Sequence, residues 1–438
     1  MEDDGAGYTF KMNIENNPRN LDPQMTEDRE SAMIITNMME GLVKELPGGA
    51  IVPAAAESFE MSEDGLTYIF YLRKDRQWTS QAEFSEPVTA DDFVFAFRRI
   101  FDPATGSPHS DDYMCILNSS GVLKGEKDPE LLGVRAVDEY TVKFILEYPY
   151  YDFLSLLTKT AAMPCCRKFF ELSKGRYGMA ADAAASNGAF YLKEWNFDPY
   201  WDNNYIIMRR NASYSENSRV YPYGLNFFIT GDSSNDKADL SSGDVNCFIS
   251  AEADEKLFES SVIYSEDIRT AGLVFNTASA NFRNKSVREA LAKSVNRDSY
   301  SHILPGNLPA AFGVIPGGIT LQGKSYRDIV PDRTLSVYDA GSAELWVNAL
   351  RSAGIEAVND AKITVPEDFS GIDMLYDITD RWRSELLFNC GVEVVSRSEY
   401  ESKMENGEYV IALIELSSEN NSAFEFMSVF AENESFHM

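Results

Sequence analysis

Residues Gly318-Ile319-Thr320-Leu321-Gln322-Gly323-Lys324-Ser325 fit the pattern GxxxxGK[ST]. In nucleotide-binding proteins that pattern cradles phosphate with backbone N–H groups at a helix N-terminus. The chemistry needs a buried strand before the loop and a helix opening at Lys324. Here Pro316-Gly317 interrupts the approach and Pro331 follows closely, so the match reads as coincidence. The three histidines, His109, His302 and His437, lie far apart. They leave little from which to build a histidine metal site or a Ser-His-Asp hydrolase. The motifs GxSxG, HExxH and GxGxxG do not occur. Asp91-Asp92 and Asp111-Asp112 are paired acids at expected caps and turns, and capping with solvation accounts for them. A glycosidase would need two carboxyls at a set separation across a cleft. The residues point away from catalysis; no cofactor and no metal is expected. Of the five cysteines, Cys115, Cys165, Cys166, Cys247 and Cys390, none forms a CxxC, and an odd number leaves at least one thiol unpaired. Adjacent Cys165 and Cys166 are either a strained disulfide or two buried thiols.

The elements around these residues alternate between helical and strand patterns. Leu66, Tyr68, Phe70 and Leu72 alternate with Thr67, Ile69 and Tyr71 after the Asp64-Gly65 turn, which predicts a strand covered on at least one face. Thr89 followed by Asp92 predicts a capping box, and Phe93, Phe97, Ile100 and Phe101 form one apolar stripe of a helix that ends at Asp102-Pro103. The spacing also predicts a strand at the start, from Tyr8, followed by an Asn/Pro turn. Helices are predicted over 31–43, over 286–296 with Ser286 as N-cap, and over 341–353. Strands are predicted over 140–148 and 271–276, with a further strand region around 187–214. Strands separated by helices imply a mixed α/β protein with partly parallel sheets, and two such lobes would hold a ligand between them.

With 438 residues, 44% hydrophobic and 12% aromatic, the chain can fill large cores, about three domains' worth at roughly 150 residues each. No run reaches the roughly 18 apolar residues of a membrane-spanning helix. The opening Met1-Glu2-Asp3-Asp4 has neither a basic nor an apolar region of a signal peptide. The formal charge is −30, from 69 acids and 39 bases scattered along the chain. That balance repels nucleic acid and anionic lipid and excludes a nucleic-acid-binding function.

Several motifs in register resemble one family. They are Leu21-Asp22-Pro23, Glu40-Gly41-Leu42, Asp64-Gly65-Leu66-Thr67-Tyr68 with Leu72-Arg73, Trp78, Thr89-Ala90-Asp91-Asp92-Phe93, Asn187-Gly188-Ala189-Phe190, Phe275-Asn276 and Val287-Arg288-Glu289-Ala290-Leu291. The chain resembles the bacterial extracellular solute-binding proteins of family 5, the oligopeptide- and dipeptide-binding receptors of ABC importers. The resemblance implies a two-lobed periplasmic-binding-protein-like α/β fold of the class II, cluster C type, with mixed sheets and an extra small domain. It places lobe I at 1–45 plus 160–265, the extra domain at 46–159 and lobe II at 266–438. It also implies helices beyond Met438 that return to the first lobe.

The implied function is capture of a peptide or related amine-bearing solute outside the membrane and its delivery to ABC permease subunits, by a monomer. Such a receptor is periplasmic or a cell-surface lipoprotein, made with a signal that is later removed. The alternative is a family-5 scaffold turned to signalling or docking. The resemblance further implies ligand contacts. Glu27, Asp28 and Arg29 follow the first motif where the family's first lobe lines the cleft, or else form a surface loop. Ala271, Gly272 and Leu273, just before Phe275-Asn276, would run beside the ligand like an added strand. From Tyr409 onward the family's tryptophan falls on Leu416, followed by Ser417, and its ammonium-binding acid falls on Glu419, which is otherwise a solvated loop acid. Asn187 is a ligand contact or a structural turn with Gly188.

Overall fold

In the computed structural model, residues 7–46, 49–81, 84–200, 204–216, 219–249, 269–300, 310–321, 324–330, 337–358, 361–369, 371–417 and 423–428 are described. They divide into two units, Met1–Ser250 and Ala251–Met438. The first unit runs β1 (Thr9–Ile14), α1 (Arg29–Met38), β2 (Val43–Glu45), β3 (Ile51–Pro53), β4 (Ala56–Met61), β5 (Thr67–Leu72), β6 (Gln77–Ser80) and β7 (Ser85–Pro87). It continues with α2 (Ala90–Phe101), α3 (Ser119–Leu123), β8 (Val134–Asp138), β9 (Thr141–Ile145), α4 (Phe153–Leu156) and α5 (Arg167–Leu172). It ends with β10 (Ala185–Ser186), β11 (Phe190–Asn196), β12 (Asn204–Arg210), β13 (Gly224–Ile229) and α6 (Asp236–Ser242). One sheet has the order β1-β13-β12-β11, with β1 parallel to β13 across more than 200 residues of chain, and a second is the antiparallel β4-β5-β9-β8.

The period-2 pattern of β5 is realised as expected: Tyr68, Phe70 and Leu72 are buried, while Thr67, Ile69 and Tyr71 face the other way. Phe70 meets Phe144 edge-on at 5.8 Å, and Phe144 meets Phe97 of α2 at 5.0 Å. Such pairs add roughly 0.5–1.5 kcal/mol each to plain burial. Thr89 and Asp92 form the expected capping box of α2. The Asp92 carboxylate accepts from the Thr89 backbone N–H at 2.8 Å and from Trp78 Nε1 at 3.0 Å. Burial outweighs these donors and raises the carboxyl to about 6 from 3.8.

Two buried ion pairs tie the small antiparallel sheet to the rest of the unit. Arg76 Nε donates to Glu40 Oε2 at 2.8 Å, and Tyr214 donates to Glu40 Oε1 at 2.8 Å. Arg76 also donates to Ser215, and its guanidinium lies 4.7 Å from the Tyr214 ring centre. Arg99 of α2 grips Asp22 through two N–H groups and donates to Gln24 Oε1 at 2.7 Å. Gln24 in turn donates to the carbonyls of Ala161 and Met163.

The second unit runs β14 (Arg269–Phe275), α7 (Lys285–Ser294), β15 (Thr320–Leu321), β16 (Lys324–Ser325), α8 (Tyr326–Ile329) and α9 (Ser342–Ala353). It goes on through β17 (Ala361–Pro366), α10 (Ile372–Leu386), β18 (Cys390–Val395), α11 (Arg397–Glu405), β19 (Ile411–Ser417) and α12 (Ala423–Ser428). Its sheet has the order β14-β19-β17-β18, parallel within β19-β17-β18 and antiparallel at β14. Helices α10 and α11 make the crossovers that parallel strands require. Both faces are buried, as parallel sheets demand. Ile411 and Leu413 join a core with Phe282, Leu291, Trp346 and Trp382, and Ile414 and Leu416 join Ile315, Ile319 and Phe426.

Some expectations shift. The first helix ends at Met38, not near Val43, because the chain turns at Met39 and Val43 enters β2. The N-cap of α7 is Asn284, whose side chain accepts from the Ser286 N–H at 2.9 Å, rather than Ser286 itself. In the GxxxxGK[ST] segment Thr320 and Leu321 pair antiparallel with Ser325 and Lys324, and a single helical turn follows, not a strand leading into a long helix; Gln322 and Gly323 lie outside the described residues. All five cysteines are free thiols, so Cys165 and Cys166 are two buried thiols.

Replacing Glu40 by Ala would remove the carboxylate hydrogen-bonded to the buried Arg76 guanidinium at 2.8 Å and leave only the more distant Asp75 and Glu216, at 3.6 and 3.8 Å. The expected loss is about 3–5 kcal/mol, read by urea unfolding, against a small loss for Glu130→Ala at the exposed Arg98 pair. Asp92 gives a pH test. As pH falls through 6 the folded protein takes up a proton that the unfolded chain accepts only near 3.8, so stability rises with acidification over that window. The wild type should gain on the order of 3 kcal/mol relative to Asp92→Asn between neutral pH and pH 4. Superimposable stability profiles of the two proteins would refute the assignment.

Candidate ligand-binding edge

The strand β14 lies at the border of its sheet, with β19 as its one neighbour among the described residues. The register pairs Thr270 with Leu416, Ala271 with Glu415, Gly272 with Ile414 and Leu273 with Leu413. Just beyond the strand, Asn276 donates its backbone N–H to the Val410 carbonyl at 3.0 Å. Hydrogen-bonded and non-bonded pairs alternate along an antiparallel ladder. The backbone groups of Thr270, Gly272 and Val274 therefore turn inward to β19. Those of Ala271 and Leu273 turn outward along the open side.

The side chains leave that side accessible. Ala271 is exposed, and a Cβ added at Gly272 would meet nothing within 4 Å. Leu273 packs against the core beneath α7 and α9. Thr270 is buried and its hydroxyl has no hydrogen-bond partner among the described residues. An open edge with exposed donors and acceptors is a template for an extended chain. Its chemistry is recognition of backbone; among the described residues there is no cluster of three or more potential metal ligands.

The other expected contacts divide. Glu27 and Arg29 are exposed at the start of α1, and Arg29 reaches Glu30 at 3.3 Å. Asp28 is spent on capping α1: it accepts from the Ser31 N–H at 2.8 Å and from the Ser31 hydroxyl at 2.7 Å. Asn187 is 1% exposed, and its amide exchanges two 2.9 Å hydrogen bonds with the backbone of Glu40. That geometry belongs to the turn rather than to a ligand contact. Leu416 is buried in the cluster with Ile315 and Phe426, so it fills core at the position where the resemblance places a tryptophan. Ser417 ends β19 and is exposed. Glu419 lies outside the described residues. The outward turn of Ala271 and Leu273 was hidden from sequence, because strand phase depends on which partner is paired and in what register.

A model of the bacterial extracellular solute-binding proteins, family 5 Middle, matches residues 50–437. The dipeptide-binding protein DppE of Bacillus subtilis is 29% identical over 72% of this chain and 57% of its own length. The periplasmic oligopeptide-binding protein OppA of Haemophilus influenzae is 30% identical over 64% of this chain and 52% of its own. The chain thus spans little more than half the length of these curated relatives. Among solved structures, the unliganded open form of the periplasmic murein tripeptide-binding protein MppA superposes with a TM-score of 0.78 at 21% identity, over 98% of this chain and 82% of that one. The Haemophilus influenzae OppA complex with the peptide RPPGFSPFR does so with 0.65 at 25% identity, over 99% and 84%. The likeness shows the fold: the two-lobed periplasmic-binding-protein-like α/β type with mixed sheets.

Amide exchange tests the strand phase directly. The amides of Gly272 and Val274 should be protected and those of Ala271 and Leu273 should exchange rapidly. The reverse order would place the open edge one residue out of register.

Proposed function

We propose that this chain, which belongs to the bacterial extracellular solute-binding proteins of family 5, is the extracytoplasmic receptor of an ABC importer and captures peptides or related amine-bearing solutes. The observation that carries the reading is the family match over residues 50–437, whose relatives are named for dipeptides and oligopeptides. The open edge of β14 supports it, since a peptide's alternating carbonyls and N–H groups can pair with the outward backbone groups of that edge. In this reading residues 1–45 with 160–265 form lobe I, 46–159 an extra small domain and 266–438 lobe II. Ala271 and Leu273 hold the ligand backbone, Gly272 between them leaves room for it, Glu27, Arg29 and Ser417 border it, and Glu419 meets its ammonium group. A ligand that binds a closed state more tightly than an open one shifts the receptor toward closure. The permease subunits then receive it. The chain acts as a receptor rather than a catalyst, outside the cytoplasmic membrane, in the periplasm or on a lipid anchor.

Thermal unfolding against di- to octapeptides tests the reading. A ligand bound only by the folded state adds RT ln(1 + [L]/Kd), about 2.7 kcal/mol at 100 times Kd. Peptides should stabilise the chain, and acetylating their N-termini should remove most of the effect. Ala271→Pro deletes an outward N–H while sparing the ladder with β19. It should weaken peptide binding about tenfold, the worth of one hydrogen bond, with little loss of stability. Peptides that leave unfolding unmoved in wild type and Ala271→Pro alike would sink the receptor reading.

A further inference from the structure

The outer face of the sheet β4-β5-β9-β8 carries an arrangement that ligand capture leaves unused. Tyr68, Phe70, Val142 and Phe144 fill the core on its inner face. On the outer face one row of side chains crosses all four strands. Glu60 of β4 pairs with Ile69 of β5, Ile69 with Lys143 of β9, and Lys143 with Arg135 of β8. The row reads acid, apolar, base, base. Beside it stand Ile145 paired with Thr67, and Tyr71 paired with Thr141 and Ser58. Tyr71 is 37% exposed, and Ile69 and Ile145 are only half-buried.

Like charges directly opposite each other on adjacent strands repel. Lys143 and Arg135 stand in that relation, and among the described residues neither has an ion-pair partner, in a chain with 69 acids for 39 bases. Some other surface cations are matched, as in Arg98–Glu130, Lys362–Glu393 and Arg397–Asp368, while Lys124, Lys174 and Arg351 have no ion pair among the described residues. Glu60, at the other end of the row, is likewise without an ion-pair partner among the described residues.

We propose that this face docks on the same face of a second copy of the chain. The two-fold axis lies in the interface, parallel to the strands and midway between β5 and β9. Rotation about it lays β4 of each copy over β8 of the other, so Glu60 meets Arg135 twice. Ile69 then lies under the partner copy's lysine at the position of Lys143, whose alkyl stem covers it. A two-fold interface must be self-complementary in this way. An axis at right angles to the strands would set Glu60 against its own copy and the bases against theirs, and repulsion excludes it. The row spans three strand spacings, about 14 Å, and facing sheets pack about 10 Å apart. A face of this size offers about 300 Å² per copy, well short of the roughly 800 Å² of a stable complex. The dimer therefore forms only at high concentration, and the chain is a monomer when dilute.

Sedimentation velocity over a concentration series into the millimolar range tests this. The wild type should move from monomer to dimer. Glu60→Lys and Arg135→Glu should each weaken association at least about tenfold; neither should lower the unfolding temperature, and Arg135→Glu should raise it slightly, because it turns the repulsion at Lys143 into attraction. An equimolar mixture of the two variants should dimerise again, since each Glu60–Arg135 contact is then restored with opposite charges. Three results would overturn the proposal. They are a wild type monomeric throughout, single variants that associate like wild type, and a mixture no better than either variant alone. A monomer that binds a polyglutamate peptide at this face would overturn it too, in favour of an acidic protein partner.

Discussion

The buried contact between Glu40 and Arg76 is the constraint around which the first unit is built. Arg76 is 2% exposed and Glu40 7%. A guanidinium taken out of water loses several kcal/mol of solvation unless a carboxylate and further acceptors replace it. Its planar fork accepts partners only from set directions. The exit of α1, the connection between β5 and β6, and the turn after β12 therefore meet at one fixed geometry. Asn187 locks the same point through the backbone of Glu40. The Arg99–Asp22 pair repeats the device for the loop that precedes α1. Apolar packing alone would hold these segments together but would tolerate sliding between them.

Close packing of backbone completes those junctions. At Gly178, where φ is +74°, an added Cβ would come within 2.3 Å of the Asp22 nitrogen. At Gly188 it would come within 3.0 Å of the Met38 carbonyl. The family motifs that look like isolated words in the sequence, LDP, EGL and NGAF, are thus the parts of two contacts, one between Asp22 and the Gly178 turn and one between Glu40 and the Asn187 turn.

Local structure was legible where one short stretch contained its own cause. The capping box at Thr89 and Asp92, the phenylalanine stripe of α2 and the alternation of β5 all depend on neighbours within a turn or two. The exit of α1 was misread because its apolar pattern runs on into Val43. What ends the helix is a tertiary contact at Glu40 with residues 36 and 147 positions away. Asp28 and Leu416 show the same limit at the site. Their types suit ligand contact, and only the folded chain reveals that one caps a helix and the other fills core; for Asn187, where the sequence offered a turn or a contact, the bonds to Glu40 make the turn. The family motif drew attention to Ala271, Gly272 and Leu273, but the edge position of β14 and its phase belong to the pairing with β19.

The unpaired thiols give the molecule internal reporters of its own breathing. Burial pushes Cys115, Cys165, Cys166 and Cys390 up to about 12, so near neutral pH almost none is the reactive thiolate. An alkylating reagent can modify them only while the surrounding structure is open. Cys165 sits against Arg99 at 3.5 Å, whereas Cys390 begins β18 in the other unit. The mass of each modified peptide would therefore clock the opening of the two units separately, in one sample, without any added label.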